Sequence, residues 1–236
     1  MNTQYSINSR ASSLVRVNSF LRSVYNWMSI GLALTGFTAY SVSNSPALMK
    51  VIYGNPFIQI VLFVGLLGLV FYISSQIQKL SASTATALFV VYAVLMGVML
   101  SYIFIVYTAG SIVSTFFICA LTFGSFSFYG MVTKRDLTSL GSFMFMGLIG
   151  IIIASVVNWF IGSPVITMLI SYIGVIIFVG LTAYDTQKLK EMSLTMPGDA
   201  TGAMVRKGTI IGALTLYLDF INLFLMLLRI LGVSRD

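Results

Sequence analysis

The stretch "LTLYLDFINLFLMLLRI", residues 214–230, is apolar almost throughout and carries Asp219 near its middle. Its length and composition are those of a membrane-spanning helix. A carboxylate at that depth is costly unless something pairs with it. Reading the stretch as a span commits the chain to a bilayer and makes the partner of Asp219 the first question.

Working outward, the whole chain of 236 residues has the same character. It is 58% hydrophobic and only 8% charged. Soluble domains carry roughly a quarter of their residues as charges, so this composition specifies an integral membrane protein. The net charge of +7 is not a nucleic-acid footprint, because the cations sit in short connections between apolar runs. There is no histidine, which removes Ser-His and Cys-His catalysis, histidine metal sites and histidine pH switches together. Cys119 is the one cysteine and excludes an internal disulfide. No Gly-x-Ser-x-Gly elbow or nucleotide motif is present, so neither an enzyme nor ATP coupling is expected.

Seven spans are expected from hydropathy, at about residues 23–43, 56–74, 84–106, 111–131, 141–161, 164–185 and 208–231. Each is near the ~20 residues a bilayer needs. Residues 1–19 are polar and read as a mobile cytoplasmic tail, too long and polar for the start of a signal peptide. Residues 20–236 then form one seven-span domain. Pro46 and Pro197 fall in loops, and Pro56 and Pro164 sit where helices begin. Ten of the Lys and Arg residues lie on the side of the N-terminus, against Lys50, Arg229 and Arg235 on the other. The positive-inside rule therefore puts the N-terminus in the cytoplasm and the C-terminus outside. Gly147, Gly150 and Ala154, and likewise Gly31 and Thr35, read as sites of close helix packing.

Six acidic residues remain to be placed. Asp136 follows Lys134 and Arg135 in a connection, Asp199 lies in the turn "MPGDATG", and Asp236 is terminal. Glu191 stands beyond the sixth span. Asp185 and Asp219 alone follow long apolar runs. If helix six continues to Met196, Asp185 lies 11 residues before its end, and Asp219 lies about as far into helix seven if that starts near Lys207 or Gly208. At about 1.5 Å per residue both carboxylates are then about 16–18 Å from the connection. Antiparallel neighbours bring them level. Thr215, Asp219, Asn222 and Met226 share one face of helix seven, and Ser171, Gly174, Phe178, Leu181 and Asp185 share one of helix six. Two carboxyls within reach in a low dielectric share a proton and titrate as a unit, so the pair is a candidate pH sensor and ion path.

Three segments resemble a known family. "YIGVIIFVGLTAYDTQKLK" at 172–190 and "GALTLYLDFINLFLMLLRILG" at 212–232 are similar to the signature segments of the Bax inhibitor-1 family, and "TKRDLTSLGSF" at 133–143 fits as well. The resemblance covers roughly residues 20–233 and is nearest to bacterial inner-membrane members. It implies an all-α, seven-helix bundle with a central last helix. It also implies a passive calcium leak that acid favours, with Asp185 and Asp219 as the paired aspartates that hold calcium weakly and transiently. No cofactor is implied. Residues 51–74 lack the acidic residue some members carry, and Lys79 stands near the place of their arginine latch. Thr215 and Asn222 are supporting candidates. The alternative is a non-conducting regulator that binds other membrane proteins or a membrane protease. In either case the lipid bilayer is a partner and nucleic acid is not.

Overall fold

The computed structural model describes residues 2–197 and 200–235, with side chains from Val15 onward. Asp199 and Asp236 lie outside the described residues. The chain is helical: α1 (Asn2–Ser43), α2 (Pro46–Tyr53), α3 (Pro56–Gln76), α4 (Ala82–Leu100), α5 (Ile103–Val106), α6 (Ala109–Val132), α7 (Thr138–Ile161), α8 (Pro164–Thr195) and α9 (Gly202–Leu231). Among the described residues the only β pairing is an isolated bridge between Tyr107 and Ser234.

Local chemistry sets the boundaries. Asn55 caps α3 by accepting the Phe57 N–H, with Pro56 at the first helical position. Ser81 accepts from Thr84 at the start of α4, and Thr108 from Ser111 at the start of α6. Gly162 closes α7 with φ +69°, a left-handed position that a side chain would strain. Among the described residues six helices are long and apolar enough to cross a membrane: Pro56–Gln76, Ala82–Val106, Ala109–Val132, Thr138–Ile161, Pro164–Thr195 and Gly202–Leu231. The expected first span is helical too, but Asn26, Ser29, Thr35, Thr38 and Ser41 dilute its apolar character.

Three boundaries differ from the sequence expectation. The polar N-terminal stretch from Asn2 is helical and continuous with the first expected span, since residues 2–19 contain neither glycine nor proline to stop a helix. Val17, Phe20 and Leu21 are buried along one of its faces. Pro46 does not sit in a loop: it opens α2 behind an extended Ser45, where its fixed φ favours a first turn. Finally, α9 starts at Gly202, not near Lys207, behind a Thr201 hydroxyl that accepts the Met204 N–H.

The helices divide into two compact units. The first holds residues up to Phe104 together with Leu189–Tyr217, and the second holds Ile105–Lys188 with Leu218–Asp236. In the first, α1 and α4 approach closely at Gly97, where a Cβ would lie 2.6 Å from the Thr35 carbonyl oxygen. Gly31 likewise faces Phe89 and Tyr217, while Val24, Phe89, Leu214, Leu216 and Tyr217 fill the interior. In the second, Cys119, Phe123, Phe178, Leu181, Phe220, Leu223 and Phe224 do so. Of the expected small-residue contacts, Gly147 meets Ile177, but Gly150 has nothing within 4 Å. Along its apolar window α9 is 61% buried, against 11–39% for the other five candidate spans.

Candidate functional site

Helix α8 passes through the second unit with one turn that is gripped from several sides. Gly130 of α6 lies against the Ala183 backbone, and Gly141 of α7 against the Tyr184 ring, each so close that a Cβ would collide. Thr186 hydrogen-bonds Ser127 at 3.0 Å. Gln187 donates to the Arg135 carbonyl at 2.8 Å and accepts the Leu137 N–H at 2.8 Å. This fixes Asp185, which shares the turn.

The remaining direction from this turn leads to α9. The side chains of Asp185 and Asp219 are hydrogen-bonded to each other. A direct hydrogen bond between two carboxyls requires a proton on one of them. Asp219 is 6% exposed and Asp185 is half-buried, and Asp219 Oδ2 is fully shielded from solvent. Thr115 Oγ1 on α6 is shielded likewise.

The two aspartates come level even though α9 begins earlier than expected. Gly208 is where α9 draws beside the end of α8: a Cβ there would lie 2.7 Å from Met196 and 3.6 Å from Met192. Residues 202–207 run past that point. Depth measured from Gly208 therefore gives the same register as the contact of Gly212 with Leu189 and of Gly174 with Met226.

The two supporting candidates on α9 bond within their own helix. Thr215 and Asn222 each bond a carbonyl one turn back on α9, to Ile211 at 3.1 Å and Leu218 at 2.8 Å. Lys79 is exposed just beyond α3, in the first unit. The cation that acts electrostatically on Asp185 is Lys188, one turn further along α8, whose ammonium also lies 5.9 Å from the Tyr184 ring centre. Thr186 and Gln187 carry no signal of their own in the sequence, and Lys188 counts there only among the cytoplasmic cations. The run "DTQK" carries them beside the aspartate, yet nothing in it says which neighbours they reach. Asp136 is exposed, and hydrogen bonds from the Thr138 side chain and N–H hold its carboxyl below the usual range.

Among the described residues no group of three or more His, Cys, Asp or Glu gathers to hold a metal. Two carboxyls are far short of the six to eight oxygens that calcium takes in a resident site. The arrangement suits a site that a cation passes, or a proton switch.

The family described as inhibitor of apoptosis-promoting Bax1 matches residues 17–236. The chain belongs to the Bax inhibitor-1 family. It is 51% identical over 230 residues to the inner membrane protein YbhL of Escherichia coli K12, covering 96% of this chain and 98% of YbhL. An uncharacterized protein of Borreliella burgdorferi is 47% identical over 219 residues, covering 93% of this chain and 94% of its own. The uncharacterized protein RP147 of Rickettsia prowazekii is 45% identical over 217 residues, covering 92% and 90%. With its apolar helices and its likeness to YbhL, this Bax inhibitor-1 family member is an integral inner-membrane protein.

Proposed function

We propose that the protein is a passive cation leak, permeable to calcium, whose rate is set by the protonation of Asp185 and Asp219. The observation that carries this function is the carboxyl pair: two acidic side chains, hydrogen-bonded across two apolar helices, with Asp219 buried. Ionisable groups inside spans are expensive, and they concentrate on ion and proton paths. With one proton the pair ties α8 to α9. Loss of that proton puts two like charges side by side and weakens the tie, and gain of a second leaves the pair neutral. Each step changes both the attraction for a cation and the contact between the helices.

In this proposal α1 is the seventh crossing, the most buried helix, α9, is central, and the N-terminus is cytoplasmic. The bilayer encloses the path, and calcium is cargo rather than a resident cofactor.

Calcium-dye flux from liposomes at pH 6 and pH 8 tests it. The native protein conducts at a rate that differs between the two pH values. The double variant Asp185→Asn with Asp219→Asn keeps shape and hydrogen-bonding capacity but cannot titrate, so its rate is nearly equal at both. No flux above empty liposomes at either pH would end the leak hypothesis in favour of a regulator that acts by binding other membrane proteins or a membrane protease.

A further inference from the structure

A cavity of about 690 Å³ opens in the second unit where α7 ends, α8 begins and α9 ends. That is within the roughly 300–1,000 Å³ typical of small-ligand sites. Its polar walls look rich at first, but most of their hydrogens are already spent. Ser155 donates to Ile151, Ser171 to Thr167 and Thr167 to Ser163, all backbone carbonyls. The Asn158 amide is occupied by Ser163 and Thr167. Three lining side chains keep donors with no partner among the described residues: the Arg229 guanidinium, the Tyr107 hydroxyl and the Trp159 indole N–H. Among the described residues no acidic side chain lines the cavity.

A pocket whose described walls hold one unpaired guanidinium, two unpaired neutral donors and no carboxylate is built for an anion. The planar fork of Arg229 suits paired oxygens on one centre. We propose that this cavity binds a phosphate ester, with Arg229 as its charge partner and Tyr107 and Trp159 as further donors. Trp159 is 81% exposed and the next residue, Phe160, 82%. Exposed aromatic side chains at a span's end mark headgroup depth, where the bilayer itself presents phosphates. A phospholipid headgroup and a soluble phosphate ester share this chemistry, so the experiment separates them.

The chain has two tryptophans, so a Trp27→Phe background leaves Trp159 as the sole indole emitter. The full-length protein in detergent micelles is titrated with phosphatidylglycerol, glycerol 3-phosphate and diacylglycerol while that emission is followed. A saturable change with phosphatidylglycerol alone identifies a lipid headgroup, and one with glycerol 3-phosphate at similar affinity identifies a soluble ester. Diacylglycerol, which has no phosphate, gives none. Arg229→Gln weakens the response about tenfold or more, Arg229→Lys falls between, and Tyr107→Phe weakens it less than loss of the charge does. Equal binding by Arg229→Gln and its parent, or an equal response to diacylglycerol, or no saturable response at all, would overturn the assignment. None of these readouts depends on ion flux.

Discussion

Tyr217 and Asp219 are two residues apart on α9, and they show different ways of burying oxygen. The Tyr217 hydroxyl lies 2.7 Å from Thr35 Oγ1, and that hydroxyl donates onward to the Ala93 carbonyl at 2.8 Å. One relay thus joins α9, α1 and α4 inside the first unit, and every oxygen in it is satisfied. Removing its end differs from removing its middle. Tyr217→Phe leaves Thr35 bonded to Ala93 and costs about 1 kcal/mol, whereas Thr35→Val strands a buried O–H and costs about 1–3 kcal/mol. Thermal unfolding in detergent should rank them in that order, and an equal or reversed ranking would mean the relay is not continuous. Residues of this kind are poorly legible in sequence. Asp185 and Asp219 stand out because a charge in an apolar run has few innocent explanations, while Thr35 looks like any small residue at a helix contact. Lys188 acts on Asp185 from the same helix, and its charge alone does not tell it from the other cations of that connection.

At the scale of elements, helix positions are legible because bilayer length and apolar composition leave little choice. Most span boundaries fall within a few residues of the observed helices. The exceptions are ends decided by capping rather than hydropathy: Ser45 opening α2, Thr201 opening α9, and the absence of any breaker before α1. How elements are fastened is not legible at all. The connection between α6 and α7 is bound through Gln187, whose amide spans Arg135 and Leu137. Gln187→Ala should free that connection and leave a buried N–H and a carbonyl unpaired, at about 1–3 kcal/mol. Trypsin should then cut faster after the exposed Lys134 and Arg135 than in the native protein. Gln187→Glu, which keeps the acceptor for Leu137 but loses the donor for Arg135, should fall between. If cleavage after these residues is no faster in Gln187→Ala, the side chain does not hold the connection.

For the molecule as a whole, charge distribution is the best guide to how it sits in a membrane. Ten Lys and Arg on one side against three on the other predict a cytoplasmic N-terminus and an external C-terminus. That outcome needs α1 to cross as the seventh span, which its polar residues make the least obvious of the set. A reporter active only in the cytoplasm should therefore be silent when fused after Arg235 and active when fused within residues 198–200. Activity at the C-terminus would mean that one crossing is missing. Hydropathy could not have shown that α9 is the helix most hidden from lipid, because a buried span and a lipid-facing span are equally apolar. The distinction lies in packing: α9 supplies Leu214, Leu216 and Tyr217 to one core and Phe220, Leu223 and Leu228 to the other.

The bond between Asp185 and Asp219 also has a consequence for synthesis. The two residues leave the ribosome one after the other, separated on the order of a few seconds at ordinary elongation rates. During that interval α8 has been made and its only carboxyl partner has not. A helix in that condition has reason to stay at the protein-conducting channel, where water and protein can solvate Asp185, and to move into lipid together with α9. Nascent chains halted once α8 has cleared the ribosome and before α9 has done so should therefore crosslink to the channel through α8, and chains halted after α9 has cleared it should not. Equal crosslinking at both lengths would show that Asp185 enters the bilayer without waiting for its partner.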